Sequence, residues 1–290
     1  MWNEICQQIS QATGRKFELE NRKSIGGAAL TRFAITGAGA GGDRYFLKLN
    51  RAEALPMFEA EALGLKQLAA AQAIRVPRPI CWGTAGDDCY LVMEYLAFGS
   101  GSSQAWADMG RQLARLHRLA ISDRGFGWQR NNTIGSTPQI NNWSPTWSEF
   151  WTEQRIGYQL RLGQRQGGRF EGSDRLLAQI PRLLKGHNPQ PSLVHGDLWS
   201  GNAAILADGT PTIFDPAAYY GDREVDLAMT ELFRGFPAAF YQGYAEIWPL
   251  ESGYQNRKLL YNLYHVLNHF NLFGGSYSAQ ANRMIEQLLS

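Results

Sequence analysis

This sequence has few cysteines, a small net charge and no long apolar run. Three cysteines among 290 residues give no disulfide framework and fit a reducing compartment. The formal net charge is only +2, and no run rich in lysine and arginine occurs, so we expect no nucleic-acid partner. Residues 1–10 lack the basic and apolar parts of a secretory signal, and no apolar run of about 18 residues is present. These absences predict a cytoplasmic protein without a membrane partner, and we expect it to be a monomer.

Two of the cysteines flank a predicted turn. Cys81 and Cys89 lie on either side of the glycine-containing stretch 83–87, so they could face each other across a hairpin. Because disulfides are rare in the cytosol, we interpret both residues as free thiols.

Helix-like and strand-like patterns alternate along the first 96 residues. Ile5 and Ile9 are four residues apart with Gly14 as a stop signal, which predicts a helix, and glycine-rich stretches predict hairpin turns. The predicted elements are a helix over 2–14, strands over 32–36 and 45–49, a helix over 56–73, and strands over 80–82 and 90–95.

After a flexible stretch at 98–103, the pattern becomes mainly helical. The segment 125–147 has no regular pattern, but its tryptophans argue against disorder. The order predicts an α+β fold of two lobes, a small antiparallel-sheet lobe with helices over 1–96 and a larger, mainly helical lobe over 97–290. The helices predicted in the second lobe cover 106–119, 147–162, 174–185, 223–233 and 254–273.

Three polar residues in the second lobe have the spacing of a phosphoryl-transfer site. Short apolar runs precede Asp197 and Asp215, and Asn202 follows Asp197 by five residues. This chemistry needs one carboxylate near the attacking hydroxyl and oxygen ligands that hold Mg²⁺ against the phosphates. The spacing therefore predicts Asp197 as the catalytic base, and Asn202 and Asp215 as Mg²⁺ ligands in an ATP-dependent enzyme. Each residue alone would suit an ordinary turn or helix cap.

The first lobe supplies candidate nucleotide contacts. Small residues at 24–29 would let backbone N–H groups approach phosphate, although no Walker A lysine follows them. Lys48 lies within a predicted strand, and Glu61 on the next helix is its expected ion-pair partner, with Glu59 as the rival. The backbone at the end of the last strand is expected to contact adenine. The predicted ATP-binding residues are Gly26, Gly27, Ala28, Ala29, Lys48, Glu61, Met93, Glu94, Tyr95, Leu96 and Ala97.

These motifs carry a resemblance that covers almost the whole chain. The most specific are His-Gly-Asp-Leu-Trp-Ser-Gly-Asn at 195–202, Phe-Asp-Pro-Ala at 214–217 and Tyr-Gly-Asp-Arg-Glu-Val-Asp-Leu-Ala-Met at 220–229. The chain resembles the fructosamine kinase (ketosamine 3-kinase) family, within the aminoglycoside-phosphotransferase branch of protein-kinase-like folds. The tryptophan after His-Gly-Asp-Leu, and Asp-Pro in place of Asp-Phe-Gly, separate that family from protein kinases.

The resemblance implies transfer of the ATP γ-phosphate to the 3-hydroxyl of a ketoamine, either a small molecule or a glycated protein. It implies that Trp199 lines the sugar-amine site, with a core position beneath the catalytic loop as the alternative. By the same similarity Asp226 braces that loop, and we expect His195 to order it. Asp222 and Glu224 would meet the substrate amine, or would only supply negative charge at the beginning of a helix.

Other functions fit parts of the same pattern. A kinase of the same fold that acts on an aminoglycoside, choline or a sugar is the main alternative. A pseudokinase scaffold would require loss of a catalytic residue, and none of the four named above (Lys48, Asp197, Asn202, Asp215) is missing. His265 and His269 have the spacing of a zinc pair, but the glutamate of a metalloprotease motif is absent, so we interpret them as ordinary residues of a helix.

Overall fold

One antiparallel sheet organises the N-terminal third of the chain. The computed structural model describes residues 1–26, 30–38 and 42–290. Five strands, β1 (Leu19–Ile25), β2 (Thr31–Gly37), β3 (Arg44–Arg51), β4 (Pro79–Ala85) and β5 (Asp88–Glu94), pair in the order β1-β2-β3-β5-β4. The four predicted strands are confirmed, with ends shifted by a few residues. β1 was not predicted because its middle residues are polar and exposed, so it lacks the apolar alternation of a half-buried strand.

Two helices pack on opposite faces of this sheet. Ile5 of α1 (Trp2–Thr13) shares a core cluster with Val92 of β5, whereas α2 (Leu55–Ala70) packs its Leu65 with Leu91. Successive strand residues point to opposite faces, so α1 and α2 cover different sides. As predicted, the first helix ends at Gly14, which adopts the left-handed conformation at φ 70°.

The chain after residue 100 is mainly helical. Every helix predicted there is confirmed, the one over 147–162 as two α-helical segments joined by a π-helical stretch. Two further helices, α8 (Ala238–Ile247) and α10 (Tyr277–Leu289), were not predicted. Ala281 and Ile285 of α10 lie one helical turn apart and are buried. The helices are α3 (Ser103–Leu119), α4 (Trp147–Phe150), the π-helix Trp151–Gly157, α5 (Tyr158–Arg165), α6 (Ser173–Leu183), α7 (Glu224–Leu232), α8 (Ala238–Ile247), α9 (Tyr254–Phe273) and α10 (Tyr277–Leu289).

Three short antiparallel strand pairs join these helices and carry the polar motifs. β8 (Ser192–Val194) pairs with β11 (Tyr219–Gly221), and β9 (Ala203–Ile205) pairs with β10 (Pro211–Ile213). The third pair, β6 (Asn132–Ile134) with β7 (Thr137–Gln139), lies within the segment that had no regular sequence pattern. Trp128 and Trp147 of that segment are buried, which confirms that it is ordered.

The cysteines do not face each other. In the hairpin of β4 and β5, Cys81 is opposite Val92 and Cys89 is opposite Thr84, and all three cysteines are free thiols. Among the described residues, no helix is long and apolar enough to cross a membrane.

Candidate active site

The loop that follows β8 is held through its main-chain groups, by the side chain of Asp226 and by the backbone of Ala217. Asp226 of α7 accepts hydrogen bonds from the backbone N–H groups of His195 (2.7 Å) and Gly196 (2.8 Å). Gly196 has φ +80°, and a Cβ atom there would lie 2.2 Å from the carbonyl oxygen of Ala217, so only glycine fits. The Ala217 N–H in turn donates to the carbonyl of His195 at 2.9 Å. The loop and the segment after Asp215 therefore have one fixed relative position.

Asp197 and Asn202 contact each other directly. The Asn202 side-chain amide donates to the Asp197 carbonyl at 2.8 Å and to its carboxylate at 3.2 Å, and the Asn202 carbonyl accepts from Phe214 N–H at 3.0 Å. No donor among the described residues bonds the Asn202 Oδ1 oxygen. Burial, with a smaller effect of nearby Asp215, raises the pKa of Asp197 to about 7. Asp197 is therefore a carboxylate that can take up a proton near neutral pH.

Asp215 lies at the centre of an ionic cluster, which we call the cleft cluster (Arg32, Lys48, Glu61, Asp215). Lys48 Nζ lies 2.6 Å from Glu61 and 2.7 Å from Asp215, and Arg32 Nη2 lies 3.1 Å from the other Asp215 oxygen. Burial raises the pKa of Asp215, but Lys48 and Arg32 outweigh this effect and hold it below the usual value. Asp215 has φ +57°, a left-handed conformation that non-glycine residues adopt rarely and mostly at functional sites.

Two cavities meet at the cleft cluster. The small cavity, of about 200 Å³, is lined on one side by Asp197 and Trp199. The large cavity, of about 470 Å³, is lined by apolar side chains that include Phe46, Met93 and Phe214. Remaining residues that line the small cavity include Leu30, Lys48, Glu61, Asn132, Thr133, Asn202, Pro216 and Ala217. The structure thus joins a polar cavity to an apolar one through a set of buried charges.

Some of the residues predicted to bind the nucleotide line the large cavity, and others do not or fall outside the described residues. Gly27, Ala28 and Ala29 fall outside the described residues, and Gly26 is the last residue before them. Met93, Glu94, Tyr95 and Leu96 line the large cavity, whereas Ala97 is not among its lining residues and its carbonyl accepts from Ala207 N–H. The Glu94 side chain is paired with Arg75.

The ion-pair partner of Lys48 is Glu61. The rival, Glu59, pairs instead with Arg130 at 3.2 Å. This is the arrangement expected from the helix geometry, since Glu59 and Glu61 are two residues apart and face different directions.

The residues predicted to contact the substrate are divided between surface and core. Trp199 is 39% exposed and lines the small cavity, so it is not the core tryptophan of the alternative interpretation. Asp222 and Glu224 are each 1% exposed and line neither cavity, so the interpretation that they meet a substrate amine is corrected. Asp222 accepts a hydrogen bond from Glu224 N–H at 3.0 Å, as expected at the beginning of a helix.

Sequence reasoning missed Arg32 and the β6–β7 hairpin. Asn132 and Gln139 of the hairpin are buried and donate to the carbonyls of Ala218 (2.9 Å) and Ala217 (3.0 Å), so the hairpin is fixed to the segment after Asp215. The neighbouring Thr133 then lines the small cavity. Three-residue strands give no usable periodicity, although the clustered asparagines at 131–132 and 141–142 were a signal of side-chain to backbone bonding.

The two histidines of α9 are helix residues with aromatic neighbours. His265 is buried, and burial lowers its pKa to about 3, while His269 packs against Phe233 and Tyr277. Their positions agree with the interpretation from the sequence.

Comparisons with known proteins indicate one family. The family model for fructosamine kinase matches residues 1–290. A probable ketoamine kinase of Synechocystis sp. is 54% identical over 289 residues, which cover 99% of this chain and 97% of that protein. A chloroplastic protein-ribulosamine 3-kinase of Arabidopsis thaliana is 41% identical over 282 residues, which cover 95% of this chain and 85% of that protein.

The fold gives the same result. A crystal structure of a candidate fructosamine-3-kinase from Haemophilus somnus superposes with a TM-score of 0.93 at 31% identity, covering 100% of this chain and 98% of that one. The predicted α+β, protein-kinase-like fold is confirmed, and the chain belongs to the fructosamine kinase family.

Proposed function

We propose that this protein is an ATP-dependent kinase that phosphorylates the 3-hydroxyl of a ketoamine, the adduct of a reducing sugar and an amine. The observation that carries the proposal is the small cavity, where Asp197 and Trp199 face the Lys48–Asp215 ion pair. Family membership supports the acceptor class, because the relatives are named as ketoamine and ribulosamine kinases. The phosphorylated adduct is expected to be unstable, so the reaction would remove sugars from amines.

The large cavity is the proposed nucleotide site. Its apolar walls and its volume of about 470 Å³ suit a nucleoside base, and the backbone of residues 93–97 would contact the adenine edge. The cavity opens toward the cleft cluster, where Lys48 would bind the α- and β-phosphates while Glu61 orients its ammonium group. The small residues at 26–29 would cover the phosphates with their backbone N–H groups.

Asn202 and Asp215 are the proposed ligands of Mg²⁺. The Asn202 amide oxygen accepts no hydrogen bond from the described part of the chain, and Asp215 is an ionised carboxylate. Both are hard oxygen ligands, which this ion prefers, so the residues fit the metal. Magnesium bound with ATP would neutralise charge on the phosphates.

Asp197 is the proposed base. As the 3-hydroxyl oxygen forms a bond to the γ-phosphorus, its proton passes to the Asp197 carboxylate. The bond from the γ-phosphorus to the β–γ bridging oxygen breaks, and ADP leaves with that electron pair. A pKa of about 7 suits a group that must accept a proton near neutral pH.

Trp199 and the β6–β7 hairpin would select the acceptor. An exposed indole face suits both the apolar side of a sugar and a cationic amine. Thr133 lies across the same cavity and offers a hydroxyl without a hydrogen-bond partner among the described residues. Asp226 would act by holding the catalytic loop rather than by touching substrate, and His195 would order the same loop.

We also propose that the chain divides into the two lobes predicted from the sequence. The division between 1–96 and 97–290 falls after β5, which ends at Glu94, and before α3, which begins at Ser103. Cytoplasmic location and a monomeric state stay predictions from composition.

A panel of acceptors tests the function. The wild-type protein, with Mg²⁺ and radiolabelled ATP, is offered ribuloselysine, erythruloselysine, fructoselysine, kanamycin and choline, with Asp197→Asn as the control for contaminating kinases. We expect transfer to the ketoamines that the variant lacks. Transfer to kanamycin or choline without transfer to any ketoamine would overturn the proposal.

A further inference from the structure

Arg32 occupies an unusual place in the sheet. Its partner across β2 and β3 is Lys48, and both side chains point to the face opposite α1. Like charges directly opposite each other on one face destabilise a sheet. Here Asp215 bonds both cations and offsets the repulsion.

The Arg32 guanidinium is only partly bonded. Nη2 donates to Asp215 at 3.1 Å, whereas Nε is buried and has no partner among the described residues. Nε and Nη2 form one edge of the planar fork, the edge that binds a carboxylate or phosphate through two parallel bonds. The edge that faces Asp215 therefore makes one bond where it has the geometry for two.

Arg32 also lies at the boundary between the cavities. Among the described residues, Arg32 and Asp215 are the two that line both of them. A phosphoryl group that moves from a nucleotide in the large cavity to a hydroxyl in the small cavity must cross this boundary. Of these two residues, Arg32 is the one whose side chain has N–H donors, and the nearby Lys48 already donates two of its three N–H bonds to Glu61 and Asp215.

We propose that Arg32 is a catalytic residue that binds the transferring γ-phosphoryl group through its Nε–Nη2 edge. The proposal rests on the proposed function, in which Asp215 gives its oxygens to Mg²⁺. With Asp215 as a Mg²⁺ ligand, Arg32 would no longer be needed as its counter-ion, and the Nε–Nη2 edge would be free to bind the phosphoryl oxygens. Negative charge on those oxygens is stabilised while the γ-phosphorus changes partners, as an arginine supplied in cis does in other phosphotransferases.

The competing explanation is that Arg32 only neutralises Asp215. Lys48 already bonds Asp215 at 2.7 Å, so the carboxylate keeps a cation when Arg32 is replaced. If Arg32 only neutralises Asp215, replacing Arg32 should weaken the binding of every Mg²⁺-nucleotide equally. If Arg32 contacts the γ-phosphoryl group, the replacement should weaken binding only of nucleotides that carry a γ-phosphate.

The test compares Arg32→Met, Arg32→Lys and the matched control Arg22→Met. Arg22 lies on exposed β1 of the same sheet, outside both cavities, and is expected to leave nucleotide binding unchanged. Calorimetry measures the affinity of each protein for Mg²⁺-ADP and for a Mg²⁺-bound, non-hydrolysable ATP analogue. We expect Arg32→Met to weaken analogue binding by about tenfold or more while ADP binding changes little, because a charge-assisted bidentate contact is lost.

Turnover and stability complete the test. We expect kcat of Arg32→Met to fall by about 10²–10³-fold. Arg32→Lys should recover part of the analogue affinity but little of the turnover, because lysine keeps the charge and lacks the fork. Equal weakening of ADP and analogue binding in folded protein, or unchanged affinity for both, would overturn the inference. Calorimetry needs no acceptor, so failure of the ketoamine assay leaves this result interpretable.

Discussion

The cleft cluster and a second ionic cluster in the helical part of the chain are built differently. The cleft cluster joins β2, β3, α2 and the segment after β10. The second, which we call the core cluster (His187, Asp222, Glu224, Arg257), lies between α7, α9 and the loop before β8. There Arg257 binds Glu224 through two bonds of 2.7 and 2.8 Å, and His187 lies 2.6 Å from Asp222. Tyr261 also donates to Asp222 at 2.6 Å.

The difference lies in what each cluster leaves unbonded. In the core cluster, Arg257 donates to the Glu224 carboxylate and Tyr261 donates to the Asp222 carboxylate. This cluster lines neither the small nor the large cavity. In the cleft cluster, Arg32 Nε has no hydrogen-bond partner among the residues that the structure describes, and the cluster lies beside Asp197, whose pKa is raised. Buried charge alone therefore does not mark a catalytic site; spare bonding capacity beside a cavity does.

The largest expected effect is a loss of activity without a loss of stability, when Asp197 beside the cleft cluster is replaced. Asp197→Asn should lower kcat by about 10²–10⁴-fold, because the amide cannot accept the hydroxyl proton. Folding should not suffer, since the new side-chain oxygen can still accept from Asn202 and a buried carboxylate is removed. Steady-state kinetics and thermal melting of the metal-free protein measure the two effects.

Nucleotide binding is the control for this variant. We expect its Mg²⁺-ATP affinity to stay near that of the wild type. If the variant keeps a near-normal kcat, Asp197 is not the base.

The core cluster should respond in the opposite way. Arg257→Met leaves Glu224 as a buried carboxylate without its bidentate partner, which typically costs about 3–5 kcal/mol in the free energy of unfolding. The kcat of the folded fraction should stay within about twofold, because Arg257 lines neither cavity. Urea unfolding and kinetics at low temperature measure these quantities.

A double variant sharpens the same comparison. Glu224→Gln combined with Arg257→Met removes both charges, and should be more stable than Arg257→Met alone. Should the folded single variant lose as much kcat as Asp197→Asn, the core cluster would have a catalytic role after all.

The smallest expected effect is a pH dependence of stability in the core cluster. Burial lowers the pKa of His187, but its bond to Asp222 and the nearby Glu224 outweigh burial and the repulsion of Arg257, so the pKa is raised. A raised pKa contributes stability that is fully present below the unfolded pKa of about 6.5 and is lost as pH rises through the folded pKa. His187→Gln should therefore cost about 1–3 kcal/mol near pH 6 and less near pH 9.

Urea unfolding of both proteins across this pH range checks the sign. Glu251, which lies 3.3 Å from His187 and is exposed, should add little. A cost of His187→Gln that grows with pH would contradict the assignment.

The two clusters also show what a sequence can reveal. Asp197, Asn202 and Asp215 were predicted because local spacing sets their positions on one loop and one strand end. Arg32 was not, because its partner Asp215 lies 183 residues away, and nothing near it in sequence marks a strand arginine as part of a site. Asp222 and Glu224 were expected either to meet the substrate amine or to supply negative charge at a helix beginning, and their positions fit the second alternative. The sequence could not separate the two, because the residues of α9 that bury and bond these carboxylates lie more than 30 residues away.

The main-chain bonds around Gly196 have a consequence for how acceptor preference can vary. The Asp226 carboxylate and the backbone groups of Ala217 and Phe214 fix the catalytic loop and the Asp215 segment, and they do so by bonding backbone N–H and carbonyl groups. Substitution of the Trp199 or Thr133 side chain would leave these bonds intact. Trp199 and Thr133 line the small cavity, and none of these bonds uses their side chains. The bonds that position Asp197 and Asp215 therefore do not depend on the side chains that a sugar would touch. Replacing the Trp199 and Thr133 side chains should alter which acceptor binds, while the distance between Asp197 and Asp215 stays the same.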